Sequence, residues 1–147
     1  YKVEIVGQKG FNGVALLSLH PVEITARTLP DPAEDEPARY IEGRVQTPKG
    51  PLTVGGIYLP NGNPIGTEKF TYKLSFFERL RRRAAELLAT ERPTVLGGDW
   101  NVCPTDEDVF DVKRDRAFHK VTFDFEARPG DRVVLETVRG PATSGPR

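Results

Sequence analysis

Methionine is absent from this 147-residue chain, and cysteine and tryptophan occur once each, at Cys103 and Trp100. A single thiol excludes an intramolecular disulfide and suits a reducing compartment, here expected to be the cytoplasm. With no methionine and an opening at Tyr1, the chain is expected to be a piece of a longer protein. No apolar run approaches the roughly 20 residues that span a bilayer, so a membrane is not an expected partner. Net charge is missing too, because 21 Lys and Arg balance 21 Asp and Glu. A neutral chain has no global field to draw in nucleic acid, and any such partner must be held by local basic clusters. The remaining composition, 37% hydrophobic and 29% charged, is that of one globular domain able to bury a core.

Glycine and proline, in contrast, are plentiful and cut the chain into short elements. Tyr1-Lys2-Val3-Glu4-Ile5-Val6 alternates in strand fashion from the first residue, unlike a charged-then-apolar leader. Gly7-Gln8-Lys9-Gly10-Phe11-Asn12-Gly13 reads as a glycine-punctuated loop, and Val14 to Leu17 as a buried strand. Further strands are predicted over Val22 to Arg27, Arg39 to Gln46 and Leu52 to Leu59. Thr47-Pro48-Lys49-Gly50 supplies a hairpin turn between the last two. The acidic, proline-bounded stretch Asp31 to Pro37 is expected to be a solvated loop.

Between Thr67 and Thr90, Phe70, Leu74, Phe77, Leu80, Ala84 and Leu87 recur at three- and four-residue steps, which predicts an amphipathic helix. Glu78, four residues before Arg82, suits an exposed ion pair. The basic run Arg79, Arg81, Arg82, Arg83 reads either as a solvated face, the commoner use of such a run, or as a phosphate contact. Strand, helix and a following strand at Thr94 form a βαβ-like unit, whether or not the two strands are neighbours.

The stretch Pro93 to Asn101 carries the most chemistry. Thr94 to Leu96 reads as a buried strand that Gly97 and Gly98 bring to a stop. Asp99 and Asn101 then follow on either side of Trp100, and an extended backbone would put both side chains on one side. A carboxylate takes a proton from water or holds Mg²⁺, and an amide donates to a phosphate oxygen. Such a pair at a strand's carboxyl end fits a metal-assisted phosphodiester hydrolase. A Gly-Gly-Asp turn that merely joins two elements fits the same residues. Tyr58 ends its strand in a similar place, ahead of the turn Pro60-Asn61-Gly62. Its phenol is suited to a phosphate oxygen, or it is a half-buried aromatic at a strand edge.

Four segments in order resemble the exonuclease III-type DNA repair nucleases of the endonuclease/exonuclease/phosphatase superfamily. They are Gly7-Gln8-Lys9-Gly10-x-x-Gly13-Val14-Ala15-Leu16-Leu17, Arg39-Tyr40-Ile41, Tyr58-x-Pro60-Asn61-Gly62 and Gly98-Asp99-Trp100-Asn101-Val102-x-Pro104-Thr105-Asp106. The resemblance covers residues 1–111 and corresponds to the middle of such an enzyme. It implies an α/β (α+β) fold, a partial four-layer α/β sandwich with two β-sheets flanked by helices and incomplete at both ends. The implied activity is that of a monomeric, Mg²⁺-dependent nuclease, Mn²⁺ being admissible. Such an enzyme degrades double-stranded DNA from 3′ ends and incises it at abasic sites. On this resemblance Asp99 orients or deprotonates the attacking water. Asn101 stabilises the pentacovalent transition state beside the metal, so that Asp99 and Asn101 are the implied metal residues. Tyr58 stands near the scissile phosphate. Gln8, Lys9, Gly10 and Arg39 match positions near the DNA backbone, and Asn61 is a further candidate there. The alternatives are a non-catalytic remnant that binds DNA weakly, or another phosphoesterase of the superfamily. The loop at Gln8 and the motif at Tyr58 favour DNA over the latter.

The departures bear on activity. The family's opening asparagine and metal-binding glutamate would precede Tyr1, and its late aspartate and Asp-His pair have no counterpart. His119 follows Phe118 rather than an aspartate, and His20 precedes Pro21 in an expected turn. Residues 112–147 depart from the family. Val121 to Glu126 and Arg132 to Val138 read either as a hairpin about Arg128-Pro129-Gly130-Asp131 or as a mistranslated or rearranged end, and the close from Gly140 as disordered. The chain alone is therefore expected to be inactive.

Overall fold

Alternation from Lys2 onward makes the first element, β1 (Lys2–Gly7), which pairs antiparallel with β2 (Gly13–Ser18) in the register Val3↔Leu17 and Ile5↔Ala15. The computed structural model describes residues 1–30 and 37–102. The acidic loop at 31–36, Cys103, His119, the boundary at residue 111, and the expected hairpin and chain end all lie outside the described residues. Residues 1–101 form one compact unit.

The second sheet has the order β3-β4-β5-β6, from β3 (Val22–Ala26), β4 (Tyr40–Thr47), β5 (Gly50–Tyr58) and β6 (Thr94–Asp99). Thr47 to Gly50 closes the expected hairpin, with Gly50 at φ 112 and Thr47 Oγ1 donating to Gly50 O at 2.6 Å. Strand β5 leads through helix α1 (Glu68–Ala89) to β6, and β5 and β6 are parallel neighbours. The βαβ-like unit is thus a true adjacent pair. Strand β6 does not stop at its glycines but runs through them to Asp99. Gly98 adopts φ 141, and a Cβ there would fall on the Ile57 backbone, so the glycine allows two strands to approach closely.

Three layers result among the described residues. Tyr40 and Glu42 of β4 face α1, where Glu42 meets Arg83, while Ile41 and Gly56 face the first sheet, with Leu16 3.6 Å from a Cβ built at Gly56. Between α1 and the four-stranded sheet lies the core, including Ile57, Leu59, Phe76, Phe77, Leu80 and Leu87. Two β-sheets packed face to face with an outer helix are the expected α+β sandwich.

The helix ends one residue inside each predicted limit, with Thr67 extended at its N-cap and Thr90 at its C-cap. Its buried face is rotated from the predicted stripe, however. Leu74 is 43% exposed, whereas Lys73, Phe76 and Arg79 are buried. The reason is polar. Arg79 donates to the carbonyls of Leu29 and Pro30, and Arg83 binds Glu42, drawing that flank inward. Glu78 accepts from Arg81 at 3.0 and 2.7 Å, with the Arg82 charge beside it. The basic run is therefore divided between internal ties and the surface rather than forming one solvated or phosphate-binding face.

Candidate active site

Parallel pairing sets Tyr58 opposite Asp99, so the last residues of β5 and β6 stand side by side on one face of the sheet. The ladder continues one step further, with Leu59 N donating to Asp99 O at 2.8 Å. On its other side Tyr58 is joined to Arg39. Tyr58 N donates to Arg39 O at 2.9 Å, and Arg39 Nη1 donates to Tyr58 O at 3.2 Å. The guanidinium lies 4.7 Å from the Tyr58 ring centroid, within cation–π range. Among the described residues, Arg39 Nε is buried with no hydrogen-bond partner. Ala38 N donates to Gln8 Oε1 at 2.7 Å, which anchors the β1–β2 loop beside Arg39. Lys9 and Gly10 follow on that loop, exposed. Sequence elements far apart in the chain thus meet at one end of the sheets.

Asp99 and Asn101 also meet, but not by an extended backbone. Asn101 sits at φ 48, a left-handed conformation that asparagine tolerates better than most residues. Its backbone N donates to Asp99 Oδ1 at 2.9 Å, an Asx turn, and its side-chain Nδ2 donates to Leu59 O at 2.6 Å and to Asp99 Oδ2 at 3.3 Å. The period-two expectation is corrected accordingly: a turn places the two groups together. In this arrangement the amide of Asn101 is engaged, its bond to Asp99 being longer than its bond to Leu59.

Sequence reasoning passed over Lys73. It is 1% exposed, and its Nζ donates to Asn61 O at 3.1 Å and to Asn101 O at 2.7 Å. Asn61 itself is exposed, with its Oδ1 accepting from Asn63 N at 3.1 Å, so its side chain shapes its own loop. Lys73 was findable: it lies seven residues before Leu80, on the buried stripe, where a charge is out of place.

Asp99 and Asn101 bring hard oxygen donors of the kind Mg²⁺ takes, one carboxylate and one carboxamide. Among the described residues no group of three or more His, Cys, Asp or Glu is placed to hold a metal ion. The donor set present fits a share of such a site, the share that leaves room for water and phosphate oxygens.

Sequence comparison matches residues 2–146 to the Endonuclease/Exonuclease/phosphatase family. The chain belongs to this family. Within it, the chain is similar to exodeoxyribonuclease III of Haemophilus influenzae, 34% identical over 110 residues that cover 74% of this chain and 41% of that enzyme. Among solved structures it is similar to an AP endonuclease from Archaeoglobus fulgidus, with a TM-score of 0.70 at 30% identity over 82% of this chain and 46% of the other. It is also similar to NExo of Neisseria, solved as a 3′-5′ exonuclease with a TM-score of 0.68 at 29% identity, covering 77% of this chain and 43% of that one. NExo was also solved as a 3′ phosphatase bound to a product DNA hairpin, with a TM-score of 0.64 at 29% identity, covering 77% of this chain and 42% of that one. The chain spans less than half the length of each of these relatives. No helix among the described residues is long and apolar enough to cross a membrane.

Proposed function

We propose that this chain carries the central part of the active site of an exonuclease III-type nuclease that hydrolyses phosphodiesters in duplex DNA, at 3′ ends and at abasic sites. The carrying observation is the Tyr58–Asp99 cross-strand pair with Asn101 folded onto the carboxylate. In the mechanism Asp99 orients a water and accepts its proton as the water oxygen bonds to phosphorus, while the P–O bond to the departing 3′ oxygen breaks and that oxygen takes a proton from solvent. Asn101 donates to the oxygen on which charge grows, once its bond to Asp99 is exchanged. Tyr58, stacked against Arg39, bounds the phosphate site, and Gln8, Lys9, Gly10, Arg39 and Asn61 flank the DNA backbone. Asp99 and Asn101 would share in holding Mg²⁺ or Mn²⁺, which supplies charge neutralisation at the phosphate.

The first test is Asp99→Asn in a full-length enzyme that carries this chain. Cleavage of abasic duplex is expected to fall at least about a hundredfold, the scale of losing a general base or transition-state donor. Near-normal turnover would remove the reading. A second reading, hydrolysis of a 3′ phosphomonoester by the same groups, is favoured by the likeness to NExo as a 3′ phosphatase. A 3′-phosphorylated duplex assayed beside the abasic one separates the two. The 147-residue chain by itself is expected to cleave poorly, because Mg²⁺ of this class takes several oxygen ligands. Robust Mg²⁺-dependent cleavage by the chain alone, abolished by Asp99→Asn, would contradict that expectation.

A further inference from the structure

We infer that Lys73 is a positioning residue, whose buried ammonium ties the Asn61 and Asn101 loops together and so holds Asn101 on Asp99. The catalytic consequence rests on the nuclease reading; the tie itself rests on geometry. Lysine is almost never fully buried without partners, because removing an ammonium from water costs several kcal/mol unless hydrogen bonds replace the lost hydration. Lys73 is nonetheless fully buried, in the stripe that contains Phe77 and Leu80. An apolar side chain of similar length would fill that volume without the desolvation cost, so the charge has a reason beyond packing.

That reason is visible at Nζ, which lands between the carbonyls of Asn61 and Asn101. These two loops leave the ends of different strands, β5 and β6. Among the described residues Asn101 is consequently held at three of its atoms: its N to Asp99, its Nδ2 to Leu59 and Asp99, and its O to Lys73. Only the last comes from the helix. It also supports the left-handed backbone at Asn101, which costs asparagine less than most residues. The stem is confined as well. Gly62 lies at φ 75, and a Cβ there would meet Lys73 Cδ at 2.5 Å, so the chain crosses closely over the lysine and steers its end.

Hydrogen exchange of the 147-residue chain, read by NMR, tests the tie. In Lys73→Met the Asn101 backbone and side-chain amides are expected to exchange at least about tenfold faster, as local opening requires when a charge-assisted bond is lost. Amides of the β4–β5 ladder should stay within about twofold, since they report the folded sheet. Lys73→Gln, which keeps a donor, should recover part of the protection, and it serves as the deciding variant if Lys73→Met does not fold. Unchanged Asn101 exchange in a folded variant overturns the inference. In a full-length enzyme that carries this chain, Lys73→Met should lower kcat at least about tenfold with KM for abasic duplex within about threefold, the signature of lost transition-state alignment. A loss confined to KM would make Lys73 a DNA contact and overturn the positioning role. Failure of Asp99→Asn to reduce activity would remove the nuclease reading yet leave the exchange result to stand or fall alone.

Discussion

At the residue scale, Gly98 shows how a position read as punctuation serves close contact instead. Its φ of 141 and the Ile57 backbone facing it leave no room for a side chain. Gly98→Ala is therefore expected to destabilise the chain by about 3 kcal/mol or more, combining backbone strain with overpacking. Denaturant melts check this, and a loss below about 1 kcal/mol would mean the strands can part there without cost. It should also displace Asp99, the next residue. The placement of Tyr58 at the end of β5 was legible because an alternating strand that runs into Pro60-Asn61-Gly62 has to end there. The nearness of Asp99 and Asn101 was legible but its geometry was not, because an Asx turn depends on one side chain capturing one N–H. Tyr58→Phe in a full-length enzyme should reduce turnover less than Asp99→Asn, since the ring keeps its stacking on Arg39. A larger loss in kinetic assays would assign the hydroxyl a direct role in the chemistry.

At the scale of elements, the helix was placed to within a residue at each end, because its apolar period is local information. Its orientation was not legible, because the partners that rotate it lie on other elements. Glu42, on the helix-facing side of β4, accepts from Arg83 Nε and Nη2 at 2.8 Å each, from Thr25 Oγ1 at 2.7 Å and from Tyr40 Oη at 2.8 Å. Burial opposes ionisation of Glu42, but the Arg83, Thr25 and Tyr40 hydrogen bonds and the Arg83 charge prevail and hold its carboxyl below 4.5. Burial, and then Glu42, push the Tyr40 phenol well above its usual range. A depressed carboxylate contributes stability that is present above its unfolded value and lost as pH falls through its folded one. Wild-type stability should therefore decline below about pH 4.5, and in Glu42→Gln the part of that decline owed to this group should vanish. At neutral pH Glu42→Ala should cost about 2 to 4 kcal/mol, because it leaves Arg83, Thr25 and Tyr40 facing an empty site. Chemical denaturation across pH decides, and an unchanged acid limb in Glu42→Gln would show that other carboxylates govern it.

At the scale of the whole molecule, strand order was the least legible property, since the pairing of β3 with β4 and of β5 with β6 joins strands distant in sequence. The two-sheet architecture came from resemblance to a family, not from periodicity. One consequence of that architecture concerns the first sheet. Its inward residues Val14 and Leu16 face β4 and β5, which leaves Val3, Ile5 and Leu17 on its outer face at 51%, 62% and 63% exposure. Cross-strand pairing sets Val3 beside Leu17, so these side chains form a continuous apolar stripe rather than scattered contacts. Val95 adds another exposed apolar side chain on β6, at 51%. Contiguous apolar surface on a sheet promotes association between copies. The 147-residue chain is therefore expected to self-associate with rising concentration, and Ile5→Thr with Leu17→Thr should reduce it. Threonine keeps the β-branched shape a strand favours while removing apolar area, so stability should change by no more than about 1 kcal/mol. Sedimentation across a concentration series checks both expectations. A chain that stays monomeric without the substitutions would show that the stripe is too small to drive association. Association that persists in the double variant would place the sticky surface elsewhere.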